Sequence, residues 1–324
     1  MSKVEVTTDD VLEYPYYYTK KGEVPIWDHP LLVGYKKLPQ NYYPYVTIES
    51  VLSLYLRRKI DDDDILVLKV LGDAVCCNED QLRRYLAGKM SRSEVSKRLE
   101  KFRRYGLVER WKVRIKSDEN DEVKPPAPFV LGIAGFKLLK HYYNKDFFMD
   151  PNRWDTLGVG AIQRYVAVNE LRCRLIEGKV ARKWKWNALI GSDKRIKKPL
   201  GVAEIESPRG KLNFFIERAQ MSQDFVGFLK DKLFSWRKVY EKYGYLPVTD
   251  FQNNNPTVII LFVSTLSVAQ KIHSELLLDT YPFNLWVCVE EDMLEKGITS
   301  AFYRPSEDKL IRMKGDFLDQ NNES

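Results

Sequence analysis

At 324 residues, 44% hydrophobic, 13% aromatic and 30% charged, the chain exceeds one ordinary domain and carries enough apolar surface for packed cores, which excludes a short hormone or toxin and wholesale disorder. Fifty-two Lys and Arg against 45 Asp and Glu leave a net charge of +7. No stretch approaches a membrane-spanning run of about twenty apolar residues, and MSKVEVTTDDVLEYPYYY lacks the order of a signal peptide, so a soluble cytoplasmic protein with no membrane partner is expected.

Residues 1–60 are rich in Tyr and Pro (EYPYYY, then LPQNYYPYV) and show little helical periodicity before IESVLSLYLRRKI. They read as an ordered but irregular arm that packs on a neighbouring domain or serves an interface, in preference to an aromatic platform for bases.

Residues 61–145 are sharper. DDDDILVLKVLGDAV places acids at a helix N-terminus, where the macrodipole favours them. Asn78 then caps EDQLRRYLAG, a short helix running to Gly88. A third helix opens at Ser91 with Glu94 in capping-box position, carries Val95, Leu99 and Phe102 on one face, and stops at Gly106. Beyond that glycine the period changes to two, so LVERWKVRI and APFVLGI read as strands around the polar loop KSDENDEVKPP. Three helices and a hairpin spell a winged helix-turn-helix domain, followed by a helix in AGFKLLKHYYN.

The charge concentrates in that module. Residues 91–116 hold ten basic residues against three acids, and 182–198 hold seven against one. Two basic surfaces on an otherwise acidic body point to a polyanion, the plain alternative being a solvated face balanced by acids elsewhere. On the third helix Arg92, Ser93, Ser96, Lys97 and Lys101 are expected to face the major groove of double-stranded DNA, with phosphate contacts from Arg103, Arg104 and Arg110. The wing-tip acids Asp118, Glu119, Asp121 and Glu122 are expected to stay off the DNA.

A boundary is expected between 145 and 160, where DPNRWDTLG breaks the pattern, with a second domain over 160–312. AIQRYVAVNELRCRLIEGK reads as a long helix, RKWKWNAL, GVAEIES and KLNFFIERA as strands, DFVGFLKDKLFSWRKVYEKYG as a helix, PTVIILFVS as a buried strand, SVAQKIHSELLL as a helix and NLWVCVEE as another buried strand. A mixed sheet flanked by helices follows, with a flexible acidic tail at 313–324. Cys76, Cys77, Cys173 and Cys288 read as reduced thiols, and His29, His141 and His273 are too dispersed for a metal centre, so no cofactor is expected.

SEVSKRLEKFRRYGLVERW with PFVLGIAGFKLL, then PLGVAEIESPRGKLNFFIERAQMS leading to KLFSWRKVYEKYG, resembles the replication-relaxation family, accessory proteins of bacterial plasmids and other mobile elements. The resemblance covers residues 62–290 and implies a winged helix joined to a mixed-sheet domain similar to the PD-(D/E)xK nuclease fold. Nuclease chemistry on that fold needs carboxylates to hold Mg²⁺ and a lysine beside them. Here the family's Pro-Asp pair is Pro199-Leu200, and Arg218 and Ala219 follow Glu217, so the second domain is expected to be non-catalytic. Glu204, Glu206 and Glu217 remain as the catalytic set of an alternative, Mg-dependent nuclease reading, with Lys230 and Lys232 on the next helix.

The expected function is therefore that of a sequence-specific DNA-binding protein of a mobile element, a regulator or an accessory factor in replication or conjugative transfer. It is expected to act as a homodimer, with replication or transfer proteins as further partners and with Lys194, Arg195, Lys197 and Lys198 extending the DNA contact. An interaction scaffold that binds acidic protein is the least favoured reading.

Overall fold

The computed structural model describes residues 18–116, 125–221 and 224–319. Two compact units emerge, one formed by Leu31–Cys173 and the other by Met1–Pro30 together with Arg174–Ser324.

The Leu31–Cys173 unit runs β1 (Leu32–Lys36), α1 (Ile48–Leu56), α2 (Asp62–Ala74), β2 (Cys76–Asn78), α3 (Glu79–Tyr85), α4 (Arg92–Arg104), β3 (Val108–Ile115), β4 (Pro128–Leu131) and α5 (Ile133–Tyr142). Helices α2, α3 and α4 each start in a capping box, made by Asp61 with Asp64, Asn78 with Gln81 and Ser91 with Glu94. Each satisfies otherwise orphaned N–H groups and contributes on the order of 1 kcal/mol. Strand β3 lies between β1 and β4, pairing Leu32–Lys36 against Ile115–Trp111 on one side and Val108–Arg110 against Leu131–Phe129 on the other, and β2 adds to β4. Val95, Leu99 and Phe102 of α4 join Leu68, Leu71, Leu82, Phe129 and Leu138 in one core. Helix α5 sits so close to the turn before β3 that a Cβ on Gly135 would lie 2.1 Å from the Leu107 carbonyl oxygen, which is why no larger residue fits.

Helix α6 (Trp154–Glu177) is broken at Gly158, whose φ of 64° is non-helical. Its 159–173 part packs on 74–85: the Asn169 side-chain amide donates to the Ala74 and Cys76 carbonyls, and Glu170 receives Arg84 at 2.7 Å.

The other unit is a seven-stranded sheet in the order β11-β10-β9-β8-β7-β6-β5, built from β5 (Ala181–Trp186), β6 (Gly201–Ser207), β7 (Gly210–Arg218), β8 (Thr257–Val263), β9 (Asn284–Val289), β10 (Phe302–Ser306) and β11 (Lys309–Arg312). Strands β7, β8 and β9 are parallel and the remaining pairs antiparallel. Helices α7 (Phe225–Tyr243) and α8 (Leu266–Leu276) bury Leu229, Leu233, Trp236 and Ile272 on one face of the sheet, and α9 (Glu290–Lys296) follows β9. Every residue of β8 is buried, as a central strand with a continuous apolar sequence requires.

The described residues are thus mixed α and β with two sheets, and they differ from the sequence expectations at several places. Residues 31–60 are no irregular arm: β1 docks on β3, α1 packs Val51 and Leu54 into the core, and both belong to the Leu31–Cys173 unit. The division falls at 173/174, inside α6, and not at 145–160, because the 159–173 part of that helix carries the contacts to 74–85 just described. Helix α3 ends at Tyr85, three residues before Gly88, and the strand expected over NLWVCVEE ends at Val289, where α9 begins. Strands β10 and β11 were not anticipated. The tail is docked through residue 319, since Leu318 is buried and its carbonyl oxygen lies against Gly178. Residues 320–324 and the wing-tip acids Asp118, Glu119, Asp121 and Glu122 lie outside the described residues. All four cysteines are free and buried, and no helix among the described residues is long and apolar enough to cross a membrane.

Candidate nucleic-acid interface

The cations of α4 fall into two groups. Arg98 and Lys101 turn toward α2, where Arg98 donates to Asp61 at 2.8 Å and both bind the fully buried carboxylate of Asp64. The Asp64 N–H and the Arg98 guanidinium hold Asp61 below the usual carboxylate range against the effect of burial. Lys101, expected on the DNA face, is therefore a structural cation.

The second group faces solvent. Ser93 and Lys97 are exposed, and Lys97 makes no ion pair among the described residues. Arg92 is 67% exposed and rests on Asp80, an ion pair of the open type that contributes little to stability. Ser96 departs from the expectation: its hydroxyl donates to Glu79 and accepts from Arg83, so it ties α3 to α4. Arg104 is exposed and held by Glu100 at 2.6 Å.

Between α4, β3 and the segment 37–41 lies a groove of about 500 Å³. Arg103 enters it half-buried, donating to the Lys37 carbonyl at 3.2 Å, and Arg110 faces it from β3. Burial and then the neighbouring Arg110 guanidinium pull Arg103 below the usual guanidinium range. The same tyrosine-rich segment is pinned to the end of α4, where the Tyr43 N–H donates to the Arg104 carbonyl at 2.8 Å. Lys37 was missed at the sequence level because its position depends on the β1–β3 pairing.

In the Arg174–Ser324 unit, Lys194, Arg195, Lys197 and Lys198 are all exposed on the 191–198 loop, Arg195 being held by Asp193 at 2.9 Å. The three carboxylates of the nuclease reading behave differently. Glu204 and Glu217 are fully buried. Glu204 receives Lys211 at 2.9 Å, Glu217 receives Lys232 and the Leu200 N–H, and the half-buried Glu206 receives Arg182. All three lie on one face, but Glu204 pairs with Asn213, four residues before Glu217 on β7, so the two stand about 13 Å apart along the strands. Each of the two buried carboxylates is held by a lysine of its own. Among the described residues no three His, Cys, Asp or Glu side chains are grouped so as to hold a metal.

A separate buried polar cluster sits at the C-terminal ends of the parallel strands. Arg218, fully buried, donates to Glu290 at 2.6 Å and lies over the Phe262 ring, while Asp28 accepts from the Met221 N–H at 2.8 Å. Burial raises Asp28 to about 6, with Arg218 drawing it back toward the ionised form.

No family model, characterised protein or solved structure matches this chain.

Proposed function

We propose that this chain is a sequence-specific double-stranded DNA-binding protein in which residues 61–145 act as a winged helix-turn-helix and α4 as the recognition helix. The observation that carries the reading is the division of charge on α4. Arg98 and Lys101 are spent on Asp61 and Asp64, which fixes the helix, while Arg92, Ser93 and Lys97 at its N-terminal half stay open to solvent. A capped helix presenting polar and basic side chains from its first two turns has the chemistry of major-groove readout. Two copies on two half-sites suit such a module, and sedimentation with and without duplex checks that.

The β5–β7, α7, β8 succession supports a nuclease-like fold for the second unit, used as a binding platform. Its buried acids Glu204 and Glu217 are matched to lysines and spread along the strands, and the exposed cations of 191–198 offer phosphate contacts of their own. The resemblance to the replication-relaxation family supplies the setting, a regulator or accessory factor of plasmid replication or transfer in the bacterial cytoplasm.

Fluorescence anisotropy on duplex DNA over a range of salt tests the reading. Log affinity should fall linearly with log salt, and a selected sequence should outcompete a random one. Salt-independent or sequence-blind binding would overturn it. Incubation with supercoiled DNA in Mg²⁺ or Mn²⁺ should leave the DNA intact, and cleavage abolished in Glu217→Ala would install the nuclease reading instead.

A further inference from the structure

The groove between α4, β3 and the segment 37–41 contains more positive charge than the fold uses. Its two acids are already engaged: Glu79 binds Arg83 and the Ser96 hydroxyl, and Glu100 binds Arg104 at 2.6 Å. Of its four cations only Arg104 has a carboxylate partner among the described residues. Lys37, Arg103 and Arg110 remain, and the Arg103 Nε is buried with no hydrogen-bond partner. Arg103 is oriented by its bond to the Lys37 carbonyl, so its remaining N–H groups are held in place before any ligand arrives.

Two guanidiniums in mutual repulsion around a polar groove are unfavourable until an anion bridges them. A forked guanidinium matches the oxygens of a phosphate in two-point hydrogen bonding, which an ammonium does not. The volume of about 500 Å³ falls within the range of small-ligand sites, roughly 300–1,000 Å³, so a phosphate fits together with the sugar attached to it.

We propose that Arg103, Arg110 and Lys37 form a phosphate-binding site that takes one backbone phosphodiester of the nucleic-acid strand passing α4, with the segment 37–41 as its outer wall. This rests on the DNA-binding reading, in which Arg103 and Arg110 were already expected to contact phosphate, and adds Lys37 and the 37–41 wall from the chain following β1, which gather the two arginines into one site. It also assigns different tasks to the two arginines near the end of α4: Arg103 receives phosphate, while Arg104 is neutralised by Glu100.

The 324-residue chain is titrated with inorganic pyrophosphate at low salt while its melting temperature is followed, and separately with random duplex DNA across salt concentrations. The variants are Arg110→Gln, Lys37→Gln and, on the open face of α4, Lys97→Ala. Pyrophosphate should raise the melting temperature of the wild type and of Lys97→Ala, and the rise should be lost in Arg110→Gln and reduced in Lys37→Gln. On DNA, Arg110→Gln should make the slope of log affinity against log salt shallower by about 1, the loss of one phosphate contact. An unchanged pyrophosphate response in both groove variants would overturn the site. A slope unchanged in Arg110→Gln but shallower in Lys97→Ala would overturn the phosphodiester assignment while leaving the α4 reading standing. A lost pyrophosphate response with no DNA binding by any form would overturn the phosphodiester assignment and the DNA reading together, identifying a site for a free phosphate compound.

Discussion

Helix α4 and the strand pair β6–β7 were both marked by dense charge, and they use it in opposite ways. On α4 the inward cations are consumed by Asp61 and Asp64 while Arg92 and Lys97 stay in water. On β6 and β7 the two buried acids are each matched by a lysine, Glu204 by Lys211 and Glu217 by Lys232. A charged side chain is available to a ligand only when the fold has not already neutralised it, and burial of the partner decides which case applies. By that criterion α4 and the neighbouring groove keep positive charge open to a ligand, and the buried acids of β6–β7 do not.

The largest effect should come from breaking the Glu217–Lys232 pair. Lys232→Met strands a fully buried carboxylate and should destabilise the protein by about 3–5 kcal/mol in urea unfolding, whereas Lys97→Ala, exposed and unpaired, should stay within about 0.5 kcal/mol. Equal effects would erase the distinction between the two regions. Asp64→Ala should cost about 2–3 kcal/mol, since it leaves Arg98 and Lys101 without their shared buried partner and removes half a capping box.

Asp28 sharpens the comparison through pH. Its folded value of about 6 lies above the unfolded carboxyl value near 3.8, so the folded state holds the proton more tightly. Stability from this group is therefore full below pH 3.8 and declines as pH rises to about 6, by on the order of 3 kcal/mol in all. Asp28→Asn should flatten that part of the stability–pH curve, measured by urea unfolding at fixed salt. A smaller effect is expected of Ser96→Ala, which removes the hydroxyl between Glu79 and Arg83 and should cost about 1 kcal/mol of stability with little change in DNA affinity.

The trio α2, α3 and α4 was legible because its signals are local. A capping residue and its partner lie three positions apart, and Gly88 and Gly106 follow the ends of α3 and α4 within three residues. Strand β1 was not legible, because it forms by backbone pairing with a strand nearly eighty residues away and LVGYK shows no alternation of apolar and polar residues. In β10 and β11 the weak signals are Pro305 within the strand and the edge position of KLIR. The candidate cations of α4 were all visible, but their sorting was not: that Lys101 and Ser96 are occupied while Arg103 and Lys37 share a groove depends on α2, α3 and β1 coming together. The acids show the same limit, since the Lys232 that neutralises Glu217 arrives from α7 and not from the strand.

The most direct test of the central claim is the affinity of the protein for a selected duplex and for a random one, compared between wild type and the triple variant Arg92→Ala, Ser93→Ala, Lys97→Ala at one salt concentration. These side chains are exposed, so the fold should survive, as circular dichroism can verify. The expected result is a loss of about 1–3 kcal/mol for each base-reading contact removed on the selected duplex, with a smaller loss on the random one. Unchanged affinity for both duplexes in a folded triple variant would contradict the assignment of α4 as the element that reads DNA.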